Sequence, residues 1–134
     1  MKKIGRNVLK NRLYKTEIPK NSAFNLNLAA HILGVAMTHI GYSFGPNNSY
    51  MVSWQYIPSK NAVIGMYYDR SGNDQIICSS KKLLEELKPY IQSMSSGIIT
   101  IREFKGEVPL VVKTILKLSP KAAREFIRTL KKYT

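Results

Sequence analysis

Residues 21–48 contain no Asp, Glu, Lys or Arg, in a chain whose formal net charge is +13. A stretch of that length with no charge on any side has to be covered by the rest of the domain or by another copy of the chain. It is not a membrane span, because Asn25, Asn27, His31, His39 and Gly41 interrupt it and a spanning helix needs about 20 mostly apolar residues. Asn21 and Ser22 are N-cap candidates for a helix over 23–40, with Leu28, Ile32, Val35 and Ile40 broadly on one side and Gly41 as its stop. Gly45-Pro46-Asn47-Asn48 then reads as a turn.

The charge is gathered at the two ends. Residues 1–20 carry seven basic residues (Lys2, Lys3, Arg6, Lys10, Arg12, Lys15 and Lys20) against one acid, Glu17, and residues 98–134 carry nine against three, so each end is +6. Solubility needs a net charge of only about 2–8 in a small domain. The excess therefore suits a polyanion, nucleic acid before an anionic membrane. A length of 134 residues suits one domain. The expected division is a basic N-terminal arm over 1–20 and a single nucleic-acid-binding domain over 21–134, which divides further into related halves, 50–94 and 98–133. The segment 5–15 is basic and acid-free, as an organelle transit peptide also is, but no apolar core follows Lys2 and Lys3 to make a secretory signal. An intracellular location is expected. The single cysteine, Cys78, excludes an intramolecular disulfide and a multi-cysteine zinc site.

From Tyr50 the hydrophobic period shortens. Strands are expected over 50–57 and 62–68 around a loop at 58–61, with a third at 75–78 after the turn 69–74. Ser79 or Ser80 caps a helix over 81–94 that buries Leu83, Leu84, Leu87 and Ile91 and is kinked or shortened by Pro89. A second unit follows the same plan: a strand over 98–105, a tight turn at Gly106-Glu107, and a strand over 110–118 begun by Pro109. Ser119-Pro120 then opens a helix over 120–132. An offset of 40 residues lays Ser79 on Ser119, Glu85 on Glu125 and Leu87 on Ile127. The expected fold class is α+β: an N-terminal helix followed by antiparallel hairpins each backed by a helix, β-β-β-α then β-β-α.

Single strands are held by aromatic faces that stack on bases and by cations that follow phosphates. Alternation puts Tyr50, Val52, Trp54 and Tyr56 on one face of their strand, and Thr100, Arg102 and Phe104 together on theirs. Lys105 follows at the turn, and Lys113 and Lys117 share a face of the next segment. The last helix offers Lys121, Arg124, Arg128, Lys131 and Lys132. The expected site is therefore Trp54, Tyr56, Arg102, Phe104, Lys105, Lys113, Lys117, Lys121, Arg124 and Arg128, acting on nucleic acid without catalysis, cofactor or metal. The uncharged helix suggests a homo-oligomer, and no membrane partner is expected.

The run Ile98-Ile99-Thr100-Ile101-Arg102-Glu103-Phe104-Lys105-Gly106-Glu107-Val108 resembles the strand–turn segment of the PC4-type transcriptional coactivators. Those are small single-stranded-DNA-binding proteins with a curved antiparallel sheet followed by a helix, related in architecture to the Whirly proteins. The resemblance implies that Phe104 and Lys105 lie on a DNA-binding ridge. The sequence departs from that family at Glu107, where a lysine is favoured, at Pro109, and in lacking a further hairpin before the helix.

Other functional classes leave weaker traces. Glu103-Phe104-Lys105 has the Glu-x-Lys spacing of metal-dependent nucleases, but the only carboxylates available to complete it, Asp69 and Asp74, sit in a distant turn. His31 and His39 are eight apart, too far for an i, i+4 metal pair, and are expected in the core or an interface. Cys78 is expected as a half-buried strand residue. An interaction or inhibitor protein that docks on an acidic protein or in a nucleic-acid groove is the alternative to direct nucleic-acid binding.

Overall fold

The computed structural model describes residues 12–20 and 22–132. Asn21 and the cations Lys2, Lys3, Arg6 and Lys10 lie outside the described residues. The elements run β1 (Tyr14–Glu17), α1 (Leu26–Leu33), β2 (Thr38–Phe44), β3 (Tyr50–Ile57), β4 (Ala62–Asp69), β5 (Gln75–Cys78), α2 (Lys81–Ser93), β6 (Arg102–Glu103), α3 (Leu110–Lys117) and α4 (Pro120–Lys132). The strands form one antiparallel six-stranded sheet in the order β2-β3-β4-β5-β1-β6.

This overturns the expected β-β-β-α then β-β-α arrangement of hairpins, each with its own helix. Among the described residues the first element is a strand, and it is inserted between β5 and β6. Its alternation explains why: Tyr14, Thr16 and Ile18 face one side of the sheet and Leu13 the other, with Leu13, Thr16 and Ile18 all buried. Counting charge over 1–20 hides this short apolar pattern.

The helix expected over 23–40 is also shorter. Asn25 caps α1 by accepting the Leu28 N–H at 2.9 Å. Gly34 ends it at φ +67°, a left-handed conformation that costs a glycine little. After Gly34 the β-branched and aromatic residues of Thr38–Phe44 form β2. The expected strand over 110–118 is instead α3. Val112 and Ile115, three apart, are buried on one helical side, and the Thr114 hydroxyl donates back to the Leu110 carbonyl at 2.9 Å. Burial of that stripe outweighs the β-preference of Val111, Val112 and Ile115. In 98–105 only Arg102–Glu103 pairs as strand, because Ile99 turns into one core and Phe104 into the other.

The hairpin β3–β4 follows the expected alternation, turning through Pro58-Ser59-Lys60 to Asn61 at φ +47°. Ser80 caps α2 by accepting the Leu83 N–H at 3.2 Å, and the helix continues through Pro89 to Ser93.

Both faces of the sheet carry helices. On one, α1 and α2 pack Ala29, Leu84, Leu87 and Ile91 against Ile64, Met66, Ile76 and Cys78. On the other, α3 and α4 pack Val112, Ile115, Ala123 and Ile127 against Val52, Trp54, Tyr56, Val63 and Ile77. The helix layers are offset: α2 lies over β5 and β1, whereas α3 lies over β4 and β2. Each face therefore has one bare end. No helix among the described residues is long and apolar enough to cross a membrane.

Candidate nucleic-acid interface

On the α3–α4 face, the bare end lies toward β1 and β6. There a groove of about 460 Å³ is lined by Lys15, Tyr50, Tyr67, Gln75, Arg102, Glu103, Phe104, Lys105 and Gly106. Lys15 on β1 stands directly opposite Arg102 on β6, so the ladder brings two cations from distant parts of the sequence side by side. The Arg102 Nε–H donates to the Thr100 hydroxyl at 3.3 Å. Lys105 follows on the loop and is exposed. Glu103 is the one carboxylate among the lining residues; it stands opposite Tyr14 in the ladder, so its side chain turns to the other face, 3.9 Å from Arg12.

Tyr50 and Tyr67 stack with centroids 4.8 Å apart and planes at 26°. The Tyr50 phenol oxygen accepts the Glu107 N–H at 3.2 Å, which ties the loop after β6 to β3. Burial raises the Tyr67 phenol pKa, and the nearby Asp69 charge and Tyr50 raise it further. Tyr67 therefore stays a neutral ring and hydrogen-bond donor through the physiological range. The pair offers a planar apolar surface with polar tips beside the three cations.

Phe104 forms the inner wall rather than a free platform. It is 8% exposed, its ring meets Trp54 edge-on at 6.4 Å, and its N–H donates to the Leu13 carbonyl at 2.8 Å. Gly106 lies so close to that ring that a β-carbon there would sit 2.5 Å from Phe104 Cζ. Trp54 and Tyr56 share the predicted face with Tyr50, but α3 and α4 close that part of it. Trp54 donates its indole N–H to Ser43 at 2.9 Å, and Tyr56 donates to Asn61 Oδ1 at 2.6 Å. The expectation of an open face over these two residues is corrected by the second helix layer: Trp54 is 0% and Tyr56 1% exposed.

The predicted cations separate into three groups. Arg102 and Lys105 enter the groove. Lys113 and Lys117 on α3 flank a smaller cavity that reaches Leu13, whose carbonyl holds Phe104, so they extend the basic surface from the groove's wall. Arg124 and Arg128 on α4 line a separate cavity of about 240 Å³ over Tyr56 and Pro58. Arg128 is paired with Glu125 at 2.9 Å. Lys121 is exposed at the start of α4. Sequence reasoning missed Lys15, Tyr67 and Gln75. The signal was present, since Lys15 and Tyr67 fall on the same alternation as Leu13 and Val63, but their nearness depends on the strand order.

The Glu-x-Lys spacing finds no partners here. Asp69 uses its carboxylate to accept the Ser71 and Asn73 N–H groups at 2.9 and 2.8 Å. Among the described residues, no group of three or more His, Cys, Asp or Glu stands close enough to hold a metal ion. His31 and His39 are exposed, not core, and Cys78 is completely buried, its thiol pushed up to about 12 by desolvation.

Comparisons with protein-family models, with curated proteins and with solved structures return no match for this chain.

Proposed function

We propose that the chain binds nucleic acid without catalysis, taking a single strand in the groove between β1, β6 and the Tyr50–Tyr67 pair. The observation that carries this reading is the convergence of Lys15, Arg102 and Lys105 beside two stacked tyrosines on an otherwise bare end of the sheet. Cations there meet phosphates, and the tyrosine faces and tips meet bases. A single strand suits the site because its bases are free to turn toward the protein, whereas a duplex hides them. Lys113, Lys117 and Lys121 on the same side of the sheet lengthen the basic track and add affinity that does not depend on sequence.

Titration of labelled single- and double-stranded oligonucleotides at several salt concentrations tests this. The expected result is tighter binding of the single strand, with log affinity falling steeply against log salt. Binding that ignores both oligonucleotides at low ionic strength would overturn it and favour an acidic protein as the partner.

A further inference from the structure

The other bare end of the sheet has the opposite character. On the α1–α2 face at β2, Tyr42 and Phe44 are each 54% exposed and Tyr68 is 38% exposed. The register sets Phe44 opposite Met51 and Met51 opposite Tyr68, a row across three strands, and Tyr42 lies on the same face with the His39 ring 4.5 Å away. Among the described residues, no strand pairs with the outer side of β2. The Gly45 N–H donates to the Tyr50 carbonyl. In an antiparallel ladder the alternate residues Ser43 and Gly41 then also face β3, and the N–H and C=O groups of Tyr42 and Phe44 point away from the sheet.

We propose that β2 is the contact between two copies of this chain, pairing antiparallel with β2 of the second copy across a two-fold axis. Charge selects the partner. Two molecules of +13 repel wherever their cations meet, whereas residues 21–48 and all of β3 are uncharged. The cations nearest β2, Arg124, Arg128 and Lys131 of α4, lie on the other sheet face toward Thr38–Gly41, so the Tyr42–Phe44 row lets two copies approach with less repulsion than the basic ends do. Edge strands that stay single are commonly guarded by lysine or proline within the strand; Thr38–Phe44 contains neither. The contact is self-complementary, as a two-fold interface requires: the same outward backbone groups and the same aromatic row come from each copy. The bulge between His39 and Gly41 confines regular pairing to the stretch from Gly41 to Phe44. The basic grooves then lie at the two far ends of the joined sheet, clear of the contact.

Sedimentation equilibrium without oligonucleotide, on the wild type and on the Tyr42→Lys/Phe44→Lys double variant, tests the proposal. The wild type is expected to be dimeric and the double variant monomeric, with an unchanged circular dichroism spectrum and, at dilutions where the wild type is itself dissociated, an unchanged melting midpoint. Amide hydrogen exchange of the wild type gives a second reading: the Tyr42 and Phe44 amides should be protected in concentrated solution and lose protection on dilution. A wild type that stays monomeric at millimolar concentration, or a folded double variant that still dimerises, overturns the proposal. Protection of both amides at every dilution also overturns it, because β2 would then be covered within one chain. A monomer whose oligonucleotide binding falls in Tyr42→Ser/Phe44→Ser would make this row a base-stacking surface instead.

Discussion

The indole N–H of Trp54 donates to the Ser43 hydroxyl at 2.9 Å, a buried side-chain bond that joins the centre of β3 to β2. Trp54 is fully buried against residues of α3 and α4, whereas Ser43 borders a surface cavity with Phe44, Gly45, Pro46 and the 107–109 loop. Ser43→Ala is expected to lower stability by about 1–3 kcal/mol through the orphaned indole donor. Urea unfolding followed by the fluorescence of Trp54, the protein's only tryptophan, measures this. A change within error would mean that the donor finds another acceptor.

Gly65 makes room for the same ring. A β-carbon there would lie 2.8 Å from Trp54 Cε3 and 2.9 Å from Val52 Cγ1. Neither neighbour is the free end of a flexible side chain. Gly65→Ala should therefore overpack this core and cost about 1–3 kcal/mol, seen as a lower thermal midpoint. A neutral or stabilising result would show that β4 shifts away without resistance.

Phe104 and its neighbours separate folding from binding. Phe104→Ala empties the space beside Trp54 and is expected to destabilise the fold by about 3 kcal/mol, with oligonucleotide affinity recovering wherever the variant is fully folded. Arg102→Ala and Lys105→Ala touch exposed side chains and should leave the melting midpoint unchanged. Removing Lys15, Arg102 and Lys105 together should reduce the salt slope of single-strand binding by about 2. An unaltered slope in a folded triple variant would remove the groove from the binding surface.

Tyr67→Ala tests the stacked pair independently of charge. Loss of one stacked base is expected to cost about 1–3 kcal/mol of single-strand affinity, with the salt slope unchanged because no cation is lost. Tyr67→Phe should retain most of the binding if the ring face is what the base meets. Equal losses in both variants would assign the effect to the phenol group instead.

Burial raises the Cys78 thiol from its ordinary 9.0 to about 12. Below pH 9 the thiol is protonated in both folded and unfolded chains and contributes no pH dependence. Between about pH 9 and 12 the unfolded chain releases a proton that the folded one keeps, so stability falls as pH rises. Cys78→Ala should remove this part of the alkaline loss, which paired denaturation curves above and below pH 9 would detect. Iodoacetamide should label the thiol only after unfolding, and rapid labelling of the native protein would contradict its burial.

The local signals most legible in the sequence are those written in neighbouring residues. Pro58-Ser59-Lys60-Asn61 between two alternating runs specified the β3–β4 hairpin, and Ser80 before an apolar helical stripe specified α2. Gly34 was equally local, but the uncharged run on both sides of it concealed the helix end. For Val111–Ile115 the residue types favoured a strand, and only the chance to bury Val112 and Ile115 on one side made a helix. The resemblance around Phe104 pointed to the segment that borders the groove, yet put Phe104 on a ridge where the packing places it against Trp54.

By itself the sequence determined the excess of positive charge, its concentration toward the ends, the neutral stretch between them and the alternation of β3 and β4. These are properties of composition and of contacts a few residues apart. The tertiary structure alone decided that β1 lies between β5 and β6, which sets Lys15 beside Arg102. It also decided that the two helix layers are offset, covering Trp54 and Tyr56 while leaving Tyr50 and Tyr67 at the groove. Strand order and helix placement follow from which apolar faces best cover one another across the whole chain, and that competition is not encoded in any single segment.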